Sequence, residues 1–371
     1  MPTLDVVGVG ALNLDYVATA SLMTDQDRVL AVQRAGKVVA DRDSPIEWGV
    51  EQVVDAPTMR AALDEIDVDT LEAAPGGSAF NAVHALARTG LGHRLGYVGV
   101  SGLALDGGLA AHDELDRLGI ERSRVEVDST GFGGICLSVM GQGERTLLIH
   151  PGANARMAGY LSHSVADIVD HLSSARVVHV TSFLDDDTPA ALGAVLAAVK
   201  RRNPGVVVVV DPGHVWCTRR TEDIDRIVAL GDYVLLNDRE FRELAGAGDV
   251  EVDTVAHSAA AERLLDRVTS PDATIVHKQA DVVWLFRRTA SGTVVDSCRH
   301  TRVAEEQIED STGAGDVFAA GLLAALGDPG PGQDVRTGIR LGMALARTSI
   351  QHAGAGGHGY FAGIAASHRR A

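Results

Sequence analysis

Short apolar runs of strand character alternate with segments of helical character along most of this chain. Buried strands are predicted at Leu4–Gly10, Leu95–Val100 and Val206–Val210, the last of which is a run of five valines. Helices are predicted at Thr188–Arg201 and Val335–Ile350, among others. Strands that are buried on both faces and joined by helical crossovers are typical of a parallel sheet. The alternation therefore predicts an α/β fold in which helices cover both faces of a mostly parallel sheet.

The charge balance limits the partners that we expect. The 371 residues include 33 Lys and Arg against 50 Asp and Glu, a formal net charge of −17. General nucleic-acid binding requires a basic surface, so we expect no nucleic-acid partner. No apolar run reaches the length of a membrane span, so we expect no membrane partner. Three widely spaced cysteines and the lack of a signal-peptide pattern favour a cytoplasmic location.

One stretch near the C-terminus, Asp310-Ser-Thr-Gly-Ala-Gly-Asp316, directly precedes an apolar segment of helical character. Its glycines allow a tight turn that brings several backbone N–H groups to face one point. A helix that begins there adds the positive end of its dipole, so the turn favours a phosphate or the charge that develops on one. Asp316 is placed to accept a proton from a hydroxyl that attacks phosphorus. The simpler interpretation is a glycine turn capped by an aspartate.

Two other segments present polar groups next to predicted turns. Asn13 and Asp15 follow the first strand, at the edge where open α/β sheets bind ligands, and a carboxylate there can accept hydrogen bonds from two hydroxyls. A solvated loop with a helix cap explains these two residues equally well. Gly76 and Gly77 form a second glycine turn that opens onto a helix containing Asn81. A ligand can approach such a bare backbone, and the alternative is an ordinary helix cap.

Taken together, these residues resemble the ribokinase-like carbohydrate kinases, also called the PfkB family. The strongest element is the 310–316 stretch. The supporting elements, which occur in the family's order, are Asn13-x-Asp15, Gly76-Gly77 with Asn81, His150-Pro-Gly-Ala-Asn154 and Asn237-x-x-Glu240. The resemblance implies a three-layer α-β-α ribokinase-like fold with a small β-containing lid. It also implies an ATP-dependent kinase that phosphorylates a hydroxyl of a sugar.

The resemblance implies a role for each matching residue. Asp316 would be the catalytic base, and its charged form would be favoured by the helix dipole, which predicts a low pKa. The anion hole would be formed by backbone N–H groups of Gly313, Ala314 and Gly315. The residues implied to hold the sugar are Asn13, Asp15, Gly76, Gly77 and Asn81. The residues implied on the nucleotide side are Asn237, Glu240, Gly354 and Gly356, with Glu240 ordering Mg²⁺ and its waters. A K⁺ site is implied at Asp310 and Thr312, together with carbonyls of residues 353–356.

The chain departs from the family's pattern in two places. The stretch between Asp15 and Gly76 is longer than we expect for the lid of a simple ribokinase. We therefore divide the chain into a main domain of residues 1–18 and 75–371 and an enlarged lid of residues 19–74, through which a homodimer can form. The second departure is His277-Lys-Gln-Ala-Asp281, where family members usually carry a glycine-containing turn near the nucleotide. Lys278 within it either pairs with a phosphate or is a surface lysine.

Three other functions compete with a sugar kinase. A nucleoside kinase on the same fold would share the catalytic motif, and aromatic residues lining the lid, such as Tyr16 or Trp48, would favour it. A sugar-binding regulator without catalytic activity would not need to keep Asp316. A nicotinamide oxidoreductase requires a third glycine in its dinucleotide fingerprint, where this chain has Asn13.

Overall fold

The computed structural model describes residues 3–18, 51–65, 71–141, 144–246, 254–328, 334–352 and 354–369. Trp48 and most of the predicted lid segment 19–74 lie outside these ranges. The strands within them are β1 Leu4–Val9, β2 Asn13–Ala18, β3 Glu51–Val53, β4 Leu71–Gly76, β5 Leu95–Leu103, β6 Glu121–Phe132, β7 Gly134–Gly141, β8 Glu144–His150, β9 Ala175–Thr181, β10 Val207–Asp211, β11 Tyr233–Asn237, β12 Thr274–Lys278, β13 Val282–Thr289 and β14 Gly292–Arg299.

The same ranges contain α-helices and three short 3₁₀ helices. The α-helices are α1 Ala56–Glu65, α2 Ser78–Arg88, α3 Ala110–Arg117, α4 Met157–His163, α5 Val165–Ser173, α6 Thr188–Arg202, α7 Gly213–Arg219, α8 Glu222–Ala229, α9 Asp238–Ala245, α10 Thr254–Leu265, α11 Ala314–Gly327, α12 Val335–Ser349 and α13 Phe361–His368. The 3₁₀ helices are Gly152–Arg156, Glu305–Gln307 and Gly354–Tyr360. None of the described helices combines the length and the apolar character needed to cross a lipid bilayer.

Nine strands form the central sheet, in the order β14-β13-β12-β11-β10-β9-β1-β5-β6. Neighbouring strands from β12 to β6 pair in parallel, and β13 and β14 extend the sheet as antiparallel strands. The predicted, mostly parallel sheet is confirmed.

Both faces of this sheet are covered by helices. Along β9, Val178 and Val180 pack into one core and Val177 into the other, because side chains alternate between the two faces of a strand. Residues of α4 to α10 build the first core, and residues of α2, α3, α11, α12 and α13 build the second. The predicted α-β-α layering is therefore confirmed.

A second, smaller sheet has the strand order β3-β8-β7-β2-β4 and packs against α1. It takes β2, β7 and β8 from outside residues 19–74. The two strands β3 and β4 alone would be too few to form a stable sheet. The division of the chain into a main domain and a lid at 19–74 stays a prediction. Tyr16 is buried in the core of this sheet, and its hydroxyl accepts a hydrogen bond from the Leu105 N–H (3.4 Å). Tyr16 is thus a core residue and does not support a base-binding lid.

Helices α11 and α12 pack at backbone contact, because their facing residues are glycines. A Cβ added to Gly321 of α11 would overlap the amide nitrogen of Gly342 and would lie 2.7 Å from the carbonyl oxygen of Gly338. A Cβ on Gly338 would lie 2.6 Å from the Cβ of Ala325. Since α11 carries Asp316 in its first turn, this packing fixes the position of that carboxylate.

We predict that Gly321→Ala lowers the free energy of unfolding by about 2–3 kcal/mol, because the added methyl group forces the two helices apart. The matched control is Gly363→Ala in α13, where an added Cβ meets nothing within 4 Å. That change should be neutral or stabilise the fold by about 0.5–1 kcal/mol. Urea denaturation of both variants measures the difference, and equal stability of Gly321→Ala and the unchanged protein would contradict the packing.

Candidate active site

Helix α11 begins at Ala314, after Gly313 with a φ of 70°. This left-handed conformation costs glycine little and turns the chain abruptly into the helix. The first N–H groups of a helix have no partner within it, so this turn exposes donors beside Asp316 in the first turn. The N–H of Ala314 makes a long contact of 3.4 Å with the carbonyl oxygen of Ser311. The geometry at 313–315 is compatible with an anion hole, and that role stays a prediction.

A second helix N-terminus meets this one. Helix α2 begins after Gly77, whose φ of 107° places it where an added Cβ would overlap the carbonyl oxygen of Ala11. Asn81 in the first turns of α2 donates a hydrogen bond from Nδ2 to Oδ2 of Asp316 (3.0 Å). The two glycine turns, which are far apart in the sequence, therefore converge on one carboxylate.

The antiparallel pair of β2 and β4 delivers Asp15 to the same region. Asn13 pairs with Gly76 across these strands, and Asp15 pairs with Ala74. A Cβ on Gly76 would overlap the carboxylate of Asp15, so that carboxylate lies directly over the bare backbone of Gly76. The negative charge of Asp15 is felt by Asp316 and contributes to raising its pKa. The predicted acceptor-side residues are thus brought together around the start of α11.

Asn154 holds the segment between β1 and β2 in place, a role that the sequence did not predict. Its Oδ1 accepts the N–H of Leu12 (2.9 Å), and its Nδ2 donates to the Leu12 carbonyl (3.2 Å) and to Oδ1 of Asn13 (2.8 Å). Asn154 is buried, and the bare backbone of Gly134 leaves room for the two amide groups. The sequence pointed to Asn154 only as part of the His150–Asn154 stretch, and that stretch does not indicate a contact with Leu12 or Asn13.

Asn237 and Glu240 form a reciprocal cap at the start of α9. Oδ1 of Asn237 accepts the N–H of Glu240 (2.9 Å), and Oε2 of Glu240 accepts the N–H of Asn237 (2.8 Å). Glu240 is buried, and this burial raises its pKa, with a further contribution from the negative charge of Asp211. These two residues therefore have a structural role as a helix cap. A role near a nucleotide would be a second function of the same residues.

Lys278 and Asp211 form an ion pair at the carboxyl edge of the central sheet. Lys278 ends β12, Asp211 ends β10, and Nζ lies 3.3 Å from Oδ2. The two side chains are only 14% and 11% exposed, so the interpretation of Lys278 as a surface lysine is wrong. Asp211 was missed by sequence reasoning. The available signal was an acid that closes a run of buried valines, at the edge where such sheets bind ligands.

Burial raises the pKa of Asp316 to about 7. The hydrogen bond from Asn81 and the positive charge of Lys278 oppose the shift, whereas the negative charges of Asp211 and Asp15 add to it. The low pKa expected from the helix dipole was wrong, because the cost of burying the charge exceeds the stabilisation from one helix end. A carboxyl group with such a pKa is suited to accept a proton near neutral pH.

The predicted K⁺ site joins two segments that Asp310 holds together. Its Oδ1 accepts the N–H of Thr312 (2.9 Å), and its Oδ2 accepts the N–H of Gly354 (3.3 Å). Gly356 lies in the following 3₁₀ helix, and residue 353 is outside the described ranges. In the part of the chain that the structure describes, no group of three or more His, Cys, Asp or Glu side chains forms a ready metal site.

Comparisons with known proteins place the chain in a family. A model of the pfkB family carbohydrate kinases matches residues 53–358. Adenosine kinase of Schizosaccharomyces pombe is 25% identical over 248 residues, which cover 63% of this chain and 67% of that protein. An ATP-dependent ribose-1-phosphate kinase of Halopiger xanaduensis is 29% identical over 284 residues, which cover 75% of this chain and 81% of that protein.

Solved structures share the fold at low sequence identity. Adenosine kinase from Anopheles gambiae has a TM-score of 0.73 at 19% identity, covering 95% of this chain and 97% of that one. Ribokinase from Giardia lamblia has a TM-score of 0.69 at 17% identity, covering 98% of this chain and 99% of that one. The expected ribokinase-like fold is confirmed. The protein is a carbohydrate or nucleoside kinase, and with a family model that spans most of its length, the chain belongs to the pfkB family of carbohydrate kinases.

Proposed function

We propose that the protein transfers the terminal phosphoryl group of ATP to a hydroxyl of a sugar, with Asp316 as the general base. The observation that carries this proposal is the position of Asp316 between two groups of side chains. Asn81 donates a hydrogen bond to its carboxylate, and the charges of Asp15 and of the Asp211–Lys278 pair act on it. A base between a hydroxyl-binding turn and a charged cluster is what in-line transfer requires.

The acceptor binds on the side of the small sheet in this proposal. Asp15 accepts hydrogen bonds from sugar hydroxyls, and the bare backbone of Gly76 and Gly77 lets the ring approach closely. Asn81 orients the hydroxyl that reacts, since its amide already contacts Asp316. Asn13 supports this arrangement through its hydrogen bond with Asn154.

The nucleotide binds on the opposite side, near the proposed contact residues Asn237, Glu240, Lys278, Gly354 and Gly356. Mg²⁺, when bound with the nucleotide, neutralises charge on the phosphates. The carboxylate of Glu240 is an oxygen ligand that suits this ion and its waters. Asp310 and Thr312 are the proposed K⁺ ligands, together with carbonyls of the 353–356 loop.

In the proposed step, the γ-phosphoryl group moves from ATP to the acceptor oxygen. The acceptor oxygen forms a bond to the γ-phosphorus while the bond from that phosphorus to the β–γ bridging oxygen breaks, and ADP leaves. The proton of the acceptor hydroxyl passes to the carboxylate of Asp316 and then to solvent. Backbone N–H groups of Gly313, Ala314 and Gly315 stabilise the phosphoryl oxygens during transfer.

A nucleoside kinase is the second candidate. It is supported by adenosine kinases among both the curated relatives and the solved structures of the same fold. A phosphorylated pentose is a related acceptor, supported by the ribose-1-phosphate kinase among the relatives. The buried position of Tyr16 removes one of the aromatic residues that would have favoured a nucleoside.

The first prediction of the proposed function concerns the acceptor. ADP release with Mg²⁺ and ATP, with and without K⁺, is measured against ribose, ribose 1-phosphate, other pentoses, hexoses, adenosine and other nucleosides. We expect turnover of a free or phosphorylated sugar. Turnover of nucleosides alone would replace the first candidate by the second, and no turnover with any acceptor would contradict both.

The second prediction concerns the base. Asp316→Asn should lower kcat by about 1000-fold or more while leaving acceptor affinity within a few fold, because the amide keeps the shape but cannot accept the proton. The matched control is Asp223→Asn in the first turn of α8, whose carboxylate pairs with Arg226 of the same helix (2.7 Å), and this change should leave kcat unchanged. Steady-state kinetics and calorimetric binding measure the two effects. A variant at 316 with kcat near that of the unchanged protein would exclude Asp316 as the base.

The third prediction concerns pH. Because the pKa of Asp316 is raised to about 7, its carboxyl group is protonated below that pH and cannot act as a base. We therefore expect kcat to fall tenfold per pH unit as the pH drops well below about 7, and to level off above it. A pH–rate profile at saturating substrate tests this, and a profile that is flat through neutral pH would contradict it.

A further inference from the structure

Three adjacent parallel strands deliver three charged side chains to one point. Asp211 ends β10, Glu240 lies in the first turn of α9 directly after β11, and Lys278 ends β12. Nζ of Lys278 lies 3.3 Å from Oδ2 of Asp211. It also lies 3.4 Å from the position that a Cβ on Gly315 would take. The ammonium group therefore contacts the start of α11 as well as the carboxylate.

The surroundings keep this buried lysine charged. Burial by itself lowers the pKa of a lysine, but the negative charges of Asp211, Glu240 and Asp316 outweigh it, so that the pKa of Lys278 is raised. A buried ion pair contributes little to stability once the desolvation of both charges is counted. The pair thus places a permanent positive charge beside the predicted anion hole. Because the desolvation of both charges offsets their attraction, a contribution to stability does not explain why the pair is buried there.

We propose that Lys278 is a catalytic residue whose ammonium group contacts the phosphoryl group in transit, with Asp211 as the positioning residue that holds it. This inference rests on the proposed phosphoryl transfer and deepens it. An anion bound by the amides of 313–315 lies within reach of Nζ, because Gly315 has no side chain to separate them. Lys278 gains and loses no proton during the step. It donates hydrogen bonds to the phosphoryl oxygens, as lysine does at many phosphate sites.

The positive charge of Lys278 also affects the pKa of Asp316, the proposed base. Lys278 favours the ionised form of Asp316, and Asp211 opposes it. Other titratable groups that interact with this cluster come from separate elements and are Asp15 of β2, Tyr97 of β5, His179 of β9, Cys217 of α7 and Glu240 of α9. Burial lowers the pKa of His179 to about 4 and raises that of Tyr97, so both remain neutral near pH 7. Asp211 raises the pKa of Glu240 and Lys278 lowers it, as they do for Asp316. Replacing either residue therefore shifts the pKa of both carboxyl groups in the same direction.

Three variants separate the two roles of Lys278. Lys278→Met should lower kcat about 100-fold, as loss of one transition-state contact does, and should shift the acidic limb of the pH–rate profile to higher pH. Asp211→Asn should shift that limb to lower pH. The double variant removes one positive and one negative charge, so its limb should return close to that of the unchanged protein while kcat stays low.

Nucleotide binding provides a measurement that does not need turnover. A non-hydrolysable ATP analogue should bind Lys278→Met about tenfold more weakly than it binds the unchanged protein, because the contact is to the terminal phosphoryl group. ADP should bind both proteins equally. If wild-type protein turns over no acceptor, the proposed function fails, and the comparison of the analogue with ADP still tests Lys278.

The matched control is Lys200→Met. Lys200 pairs with Asp232 (2.5 Å) just before β11, at the amino ends of the same parallel strands and away from the site. Its loss should change stability but neither kcat nor the pH–rate profile. If Lys278→Met does not fold, the double variant leaves no uncompensated charge and is used instead for the binding comparison. Unchanged analogue binding, or a fall in kcat without any shift of the limb, would overturn the proposal.

Discussion

The hydrogen bond from Asn81 to Asp316 joins the N-termini of two helices that approach the same point from opposite ends of the chain. Each helix is held there by glycine. Gly77 lies against the carbonyl of Ala11, and Gly321 lies against the backbone of Gly342. A side chain at either glycine would move one helix end relative to the other. The position of the Asp316 carboxylate therefore depends on backbone contacts that are remote from it.

Burial raises the pKa of Asp316, whereas the helix dipole lowers it, and burial has the larger effect. The same competition occurs at Lys278, where the surrounding carboxylates outweigh burial. Each of these groups contributes to the pKa of the other. The cluster is best understood as one electrostatic unit, in which the effect of one residue changes when another is altered.

The sequence predicted the layers because the valine-rich strands, such as β10, are buried on both faces and are unmistakable as apolar runs. It predicted Asp316 and its glycines because these residues are contiguous. It missed Asn154 and Asp211, since their contacts with Asn13 and Lys278 join distant segments that only the sheet order brings together. It also underestimated the second sheet, because β7 and β8 follow the main-domain strands in sequence. Only the folded chain pairs β7 with β2 and β8 with β3 and β7.

A protein with a formal net charge of −17 must bind a polyanionic nucleotide against its own field. The negative surface as a whole does not attract the nucleotide, so the groups that attract it must lie close to its phosphates. In the proposed site, this attraction comes from the dipole of α11, the amides at its start and the ammonium group of Lys278. The carboxylates around Lys278 raise its pKa, so the lysine stays charged although it is buried. The carboxylates of the site thus sustain the cation that the phosphoryl group would meet.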